Sequence, residues 1–438
     1  MKRIILLIGT ILIVYISSTL THASLLVSTS GFGTSIQKST TYISPLDTLD
    51  RLRFIRLSLE HQSIQSFREQ ATLLDPSKVQ PALLEEIEFR ISNDEFQPQD
   101  QRYDLRFRPT NPLIRKKTEK LYQNRKLQLQ ADASKALEEE VLERYELIIN
   151  WVATQQALNL VEERISLNQQ RISWLKQYPG ADFFDAKNFT EAHADVLKLW
   201  SDKTDLELKI EDLYRTIRSK MGDDAIGEFI IPWEQGNNVH AQDIQAQILN
   251  PADESLWQPL QVYLAQLAVQ EIQIEQDIER VNFDVGFIQT EYFPNRTNKS
   301  LVGISAGISL PLFQRDRAEL MDLSIEEKER SLELLDEQKQ YTLEQYYWKS
   351  HVQLLLKKYT ELQHLYAQMN LQEMQQTLQT LDDYEPLKGL EWQEMQLDWK
   401  EIDQQWYIEL VKSYIGYLSS TGLLSKEPMI DWLDAESY

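Results

Sequence analysis

Residues 301–313 read LVGISAGISLPLF. Val302, Ile304, Ala306, Ile308 and Leu310 fall on one side of an extended chain, and Gly303, Ser305, Gly307 and Ser309 on the other. That is the period-two pattern of a strand with unlike faces. Pro311 ends it, and a long helical stretch opens on Arg315 and Arg317. Roughly 200 residues earlier the chain does the same thing. RYDLRFRPTNP, residues 102–112, sets Tyr103, Leu105 and Phe107 against Arg102, Asp104, Arg106 and Arg108, then leads into a helix opening on Arg115, Lys116 and Lys117. Each long helix stops at a break, Pro179-Gly180 in the first copy and Pro386 to Gly389 in the second. Each return helix stops at a glycine, Gly222 and Gly422. A period this long marks a tandem duplication of one unit: strand, strand, long helix, turn, return helix.

The bulk composition agrees with few, long elements. Among 438 residues there are only 13 glycines and 14 prolines, mostly at the junctions. A chain so poor in turn residues has few turns. The formal net charge of −23 argues against nucleic acid or any other polyanion as a partner. There is no cysteine, which excludes disulfides, thiolate metal sites, cysteine nucleophiles and a lipid anchor on an N-terminal cysteine. Lys2 and Arg3, the apolar run from Ile4 to Val14, and Thr21-His22-Ala23 predict a cleaved export signal over 1–23. No later segment is apolar for the ~20 residues that a spanning helix needs. A membrane contact by the mature chain is therefore expected to be made by strands.

The remaining chain divides as follows. Residues 24–45 read as an extended Ser/Thr-rich leader, and 46–222 as the first repeat: a helix, a strand pair at 86–108, a long helix at 113–178 and a return helix at 183–221. Residues 223–250 read as an irregular packing segment. Residues 251–422 are the second repeat, with helix 252–281, strand pair 283–310, long helix 315–381 and return helix 390–421. A short acidic tail, 423–438, follows. In the first strand pair Ile87, Phe89 and Ile91 oppose Glu88 and Arg90; each strand reads as about seven residues, short of the ~9–11 of a membrane strand. In the second pair Phe283, Val285 and Phe287 are expected on the apolar face, opposite Asp284, Gly286 and Ile288.

The helices carry coiled-coil spacing. Leu137, Trp151, Leu158, Ile165 and Ile172 share one heptad position that only Arg144 interrupts. Trp348, Val352, Leu355, Tyr359, Leu362 and Tyr366 step by four and three, and are expected to form a buried seam. A helix of 65 residues is a rod on the order of 100 Å long, which needs neighbouring rods along its length.

No catalytic constellation, cofactor motif or metal-ligand spacing is present: the six histidines are scattered, and Gly31-Phe32-Gly33 lacks the strand, turn and lysine of a phosphate loop. The chain does not read as an enzyme. Asp182 and Asp185 at the first break, and Asp382 and Asp383 at the second, admit two readings. Aspartate is a common turn and N-cap residue. Alternatively, breaks brought together in an assembly would set a ring of carboxylates at a pore mouth, attracting cations.

The duplicated unit, the segment GISLPLFQRDRAE and the preceding NFDVGF resemble the outer membrane efflux proteins, the TolC-like channel family, over about residues 46–422. The resemblance implies a mainly α fold of duplicated long helical hairpins in a coiled-coil barrel. It implies homotrimers in which each subunit gives four strands to one shared transmembrane β-barrel. It implies that hairpin tips, here Pro179, Gly180, Leu387, Gly389 and Leu390, meet a periplasmic adaptor joined to an inner-membrane pump. The four aspartates would then lie near the periplasmic entrance. Export of small molecules, metal ions or proteins across the outer membrane follows from the same likeness. The alternative is a periplasmic coiled-coil scaffold or adaptor without a barrel, which leaves the alternating strands unexplained.

Overall fold

The computed structural model describes residues 47–434, apart from 49, 75–82, 94–100, 178–185, 223–228, 232, 234–237, 250–258, 283–284, 297–298, 309–316, 370–372, 375–376, 378–379 and 381–385. The export signal and the leader lie outside the described residues, and so do the breaks holding Pro179, Gly180, Asp182, Asp185, Asp382 and Asp383.

The chain opens with a two-residue strand β1 (Asp47–Thr48) and helix α1 (Arg51–Arg56). Asp50 caps α1, accepting hydrogen bonds from the amides of Leu52 and Arg53. After a 3-10 turn (Leu57–Glu60) comes α2 (Gln62–Leu73), so the single helix expected near the start is broken. Strands β2 (Leu84–Asn93) and β3 (Gln101–Pro109) form the first hairpin. The long helix α3 (Pro112–Gln177, 66 residues) and its return α4 (Ala186–Met221) complete the first repeat. Proline starts α3 because its missing N–H costs nothing there. The Asn111 side chain accepts from Leu113 N at 2.9 Å and donates to Val281 O at 2.8 Å, tying the two repeats together where each hairpin meets its helices.

Strand β4 (Phe229–Ile230), pairing parallel with β1, and helix α5 (Ala241–Leu249) follow. The 223–250 segment, expected to be irregular, thus holds a helix, whose buried Ile244 and Ile248 were masked by the polar residues between them. The second repeat comprises α6 (Leu260–Arg280), β5 (Phe287–Arg296), β6 (Lys299–Gly307), α7 (Arg317–Met369) and α8 (Pro386–Ser420). At the end of α8, Gly422 sits at φ +72, with Leu423 N donating to Leu418 O and Gly422 N to Ser419 O. Glycine suits this left-handed stop because it has no Cβ.

Helix α3 packs against α2, α4, α6 and α8; α7 packs against α6 and α8. One core joins Tyr145, Ile148 and Ile149 of α3 with Val352 and Leu355 of α7, Leu410, Val411 and Tyr414 of α8, and Ile217 of α4. The C-terminal segment also belongs to it. Leu424, Met429, Trp432 and Leu433 are buried, Trp432 N donates to the Tyr145 hydroxyl, and Asp431 pairs with Arg51 at 2.9 Å. The short acidic tail, through Asp434, thus packs into the core: its acids flank buried apolar residues.

Candidate functional site

Four strands form one antiparallel sheet in the order β2-β3-β5-β6. The two hairpins of the duplication join through β3 and β5. Register puts Ile87, Phe107, Ile288 and Ala306 in one row, Phe89, Leu105, Thr290 and Ile304 in the next, and Ile91, Tyr103, Tyr292 and Val302 in the third. This apolar face is bare: Phe89 is 62% exposed, Val302 70% and Ile304 78%. Phe89, Tyr103 and Tyr292 make an aromatic run across it, with ring centroids 6.3 and 6.4 Å apart. A face this apolar is not stable against water and calls for lipid or protein cover.

The opposite face is ionic. Arg108 meets Glu86 at 2.9 Å, Arg90 meets Glu88 at 2.6 Å, and Arg102 meets Asp104 at 2.8 Å and Glu291 at 2.6 Å. Beside these lie Gln289, Gly303, Ser305 and Gly307. Apolar rows on one face and hydrogen-bonded charges on the other are the two-sided pattern of a strand between lipid and water.

Two sequence expectations change here. The first hairpin is as long as the second, 10 and 9 residues in each case. Its strands run on beyond 86–92 and 102–108 to Leu84, Glu85, Asn93, Gln101 and Pro109, positions that alternation does not flag. The phase of β5 is also corrected. Gly286 takes φ +116, where a Cβ would lie 1.9 Å from Gly307 O. Beyond it Ile288 points to the apolar face, and Phe287 to the ionic one, over Gly307. The Arg106 guanidinium carbon sits 3.7 Å from the centre of the Phe287 ring.

On the helices, Val352 and Leu355 are buried, while Trp348, Tyr359, Leu362 and Tyr366 are half-buried. Their partners are on α8. Trp348 lies over Gly416, Tyr359 meets Tyr407 at 5.9 Å, and the Tyr366 hydroxyl donates to Trp399 O at 2.5 Å. Burial, with Asp403 nearby, pushes Tyr359 up to about 12. Arg144, the break in the α3 heptad, is 2% exposed. It donates to Glu140, to Phe54 O and to Lys220 O, fastening α1 and the end of α4 to α3; sequence spacing gave no sign of this. Between the repeats, Arg164 bridges Asp398 and Glu401, and Lys400 meets Glu163 at 2.7 Å.

Of the expected tip residues, Leu387 and Gly389 are half-buried and Leu390 is buried at the start of α8. Other apolar side chains stay uncovered in a single copy: Leu197, Trp200 and Leu208 on α4, and Leu332, Leu343 and Tyr346 on α7. Among the described residues no group of acids and histidines could hold a metal, and no helix is long and apolar enough to cross a membrane.

This is the TolC-like fold: long helical hairpins in duplicate, each rooted in a two-faced β-hairpin. Solved outer membrane channels share it. CusC aligns with TM-score 0.60 at 14% identity over 86% of this chain and 93% of its own. VceC of Vibrio cholerae, an outer membrane protein, aligns with TM-score 0.58 at 12% identity over 85% of this chain and 96% of its own. The MtrE outer membrane channel of Neisseria gonorrhoeae, solved in its open state, aligns with TM-score 0.60 at 10% identity over 85% and 88%. No protein-family model and no curated protein sequence matches the chain.

Proposed function

We propose that the chain is one subunit of a homotrimeric outer membrane channel. It would carry small molecules, metal ions or proteins out of the periplasm, working with a periplasmic adaptor and an inner-membrane pump in tripartite efflux or type I secretion. The observation that carries this reading is the sheet, apolar and bare on one face, ionic on the other. A periplasmic scaffold has no use for such a sheet. The sheet ends in β2 and β6, each with one edge lacking a strand partner among the described residues. Open edges are not tolerated in hydrocarbon, so the sheet must close with further copies. Three copies give twelve strands, an even number within the range of known barrels. The uncovered apolar residues of α4 and α7 then supply the contacts between neighbouring helical hairpins.

The channel does no covalent chemistry. Solute moves down a water-filled bore, and the pump supplies the work. Asp182, Asp185, Asp382 and Asp383 belong to this proposal as acids at the periplasmic entrance, with Pro179, Gly180, Leu387, Gly389 and Leu390 at the adaptor contact. Reconstitution in planar bilayers tests it. The wild-type chain should insert as discrete conducting steps, and Asp382→Arg with Asp383→Arg should lower its cation selectivity. A protein that fractionates entirely with soluble periplasm and never conducts contradicts the channel.

A further inference from the structure

We infer that the β-barrel is the part of the tunnel that accepts anions, and that Arg106 is the residue that sets this. The inference rests on the channel reading and adds its selectivity. The chain as a whole carries −23, yet the ionic face of the sheet balances four arginines against four carboxylates. Within that balance the arginines differ. Arg90, Arg102 and Arg108 each hold a carboxylate at 2.6 to 2.9 Å. Arg106 does not. Its one carboxylate within 4 Å among the described residues is Glu88, at 3.8 Å; Glu88 Oε1 accepts from Arg90, while Glu88 Oε2 and Arg106 Nε are both buried without a hydrogen-bond partner.

The Phe287 ring explains the difference. Its centre lies 3.7 Å from the guanidinium carbon, in space that Gly307 leaves open: a Cβ there would come within 2.5 Å of the ring. Stacking on an aromatic face holds an arginine in place without neutralising it. The result is a fixed, partly exposed cation on the wall of the bore. Three copies would ring the barrel with such cations, and rings of arginine favour anions and phosphate groups in pores. Anionic and zwitterionic solutes would therefore pass the barrel despite the acidity of the rest of the chain.

The test is the reversal potential across planar bilayers under a tenfold potassium chloride gradient. Arg106→Gln should raise the potassium-to-chloride permeability ratio at least twofold. Phe287→Leu should raise it in the same direction, because it keeps every charge but frees Arg106 to close on Glu88. Arg106→Lys, which keeps the charge on the wall, should stay nearer to wild type than Arg106→Gln does. Trimer assembly of each variant is checked on gels; if Arg106→Gln fails to insert, Phe287→Leu carries the test. Reversal potentials equal to wild type in Arg106→Gln, or in Phe287→Leu where only that variant inserts, overturn the role of Arg106. A wild-type protein that never conducts overturns instead the channel reading beneath it.

Discussion

Glu138 shows how one residue couples the helical wall to pH. Burial, with Glu139 and Glu344 near, pushes its carboxyl up from an ordinary 4.5 to about 7, against the hydrogen bond it accepts from Ser419. The folded chain therefore keeps this proton after the unfolded chain has released it. Stability falls as pH rises from about 4.5 to about 7, by on the order of 3 kcal/mol, and the loss is complete above that window. Glu138→Gln should unfold at higher temperature than wild type at pH 8 and at nearly the same temperature at pH 4.5. An equal gain at both would show that the carboxyl is not the cause. Gly416 gives a second test at this scale. A Cβ there would sit 2.7 Å from the Trp348 ring. The helix propensity gained by Gly416→Ala, about 1 kcal/mol, is smaller than an overpacking cost of about 1–3 kcal/mol. Net destabilisation should follow in denaturant unfolding, and Trp348→Phe in the same chain should relieve it.

At the scale of elements, the two faces of the sheet predict opposite responses to charge. Ile304→Arg places a guanidinium on the apolar face, where the cost is about 2–4 kcal/mol at mid-membrane. Ser305→Arg places the same group on the ionic face beside Gln289. The first should sharply reduce the yield of heat-resistant trimers from membranes, and the second should leave it near wild type. Equal yields would contradict the assignment of faces. The faces of β6 were legible in sequence because Val302, Ile304 and Ala306 alternate with Gly303, Ser305 and Gly307 without a break. Those of β5 were not. Gly286 resets the phase through a positive φ that no pattern of hydropathy records, and Phe287 changes side with it. The length of the first hairpin was hidden because Asn93 and Gln101 at one end, and Leu84, Glu85 and Pro109 at the other, do not continue the alternation. The long helices read well because heptad spacing is local. Arg144 and the C-terminal segment read poorly because their partners, Phe54, Lys220 and Arg51, are distant in sequence.

At the scale of the whole molecule, the physical problem is cover. A rod such as α3, roughly 100 Å long, buries only part of its surface against its own repeats. Trp200 and Leu208 on α4, Leu343 and Tyr346 on α7, and most of the apolar face of the sheet remain open. Neighbouring copies and lipid together meet all three needs, and a hollow assembly is the arrangement that also keeps the ionic face wet. Electron cryo-microscopy of the purified protein in lipid nanodiscs tests this most directly. The account predicts a threefold particle with a twelve-stranded ring in the lipid disc and a continuous bore through its helices. A single-copy particle, or one without a bore, would contradict it.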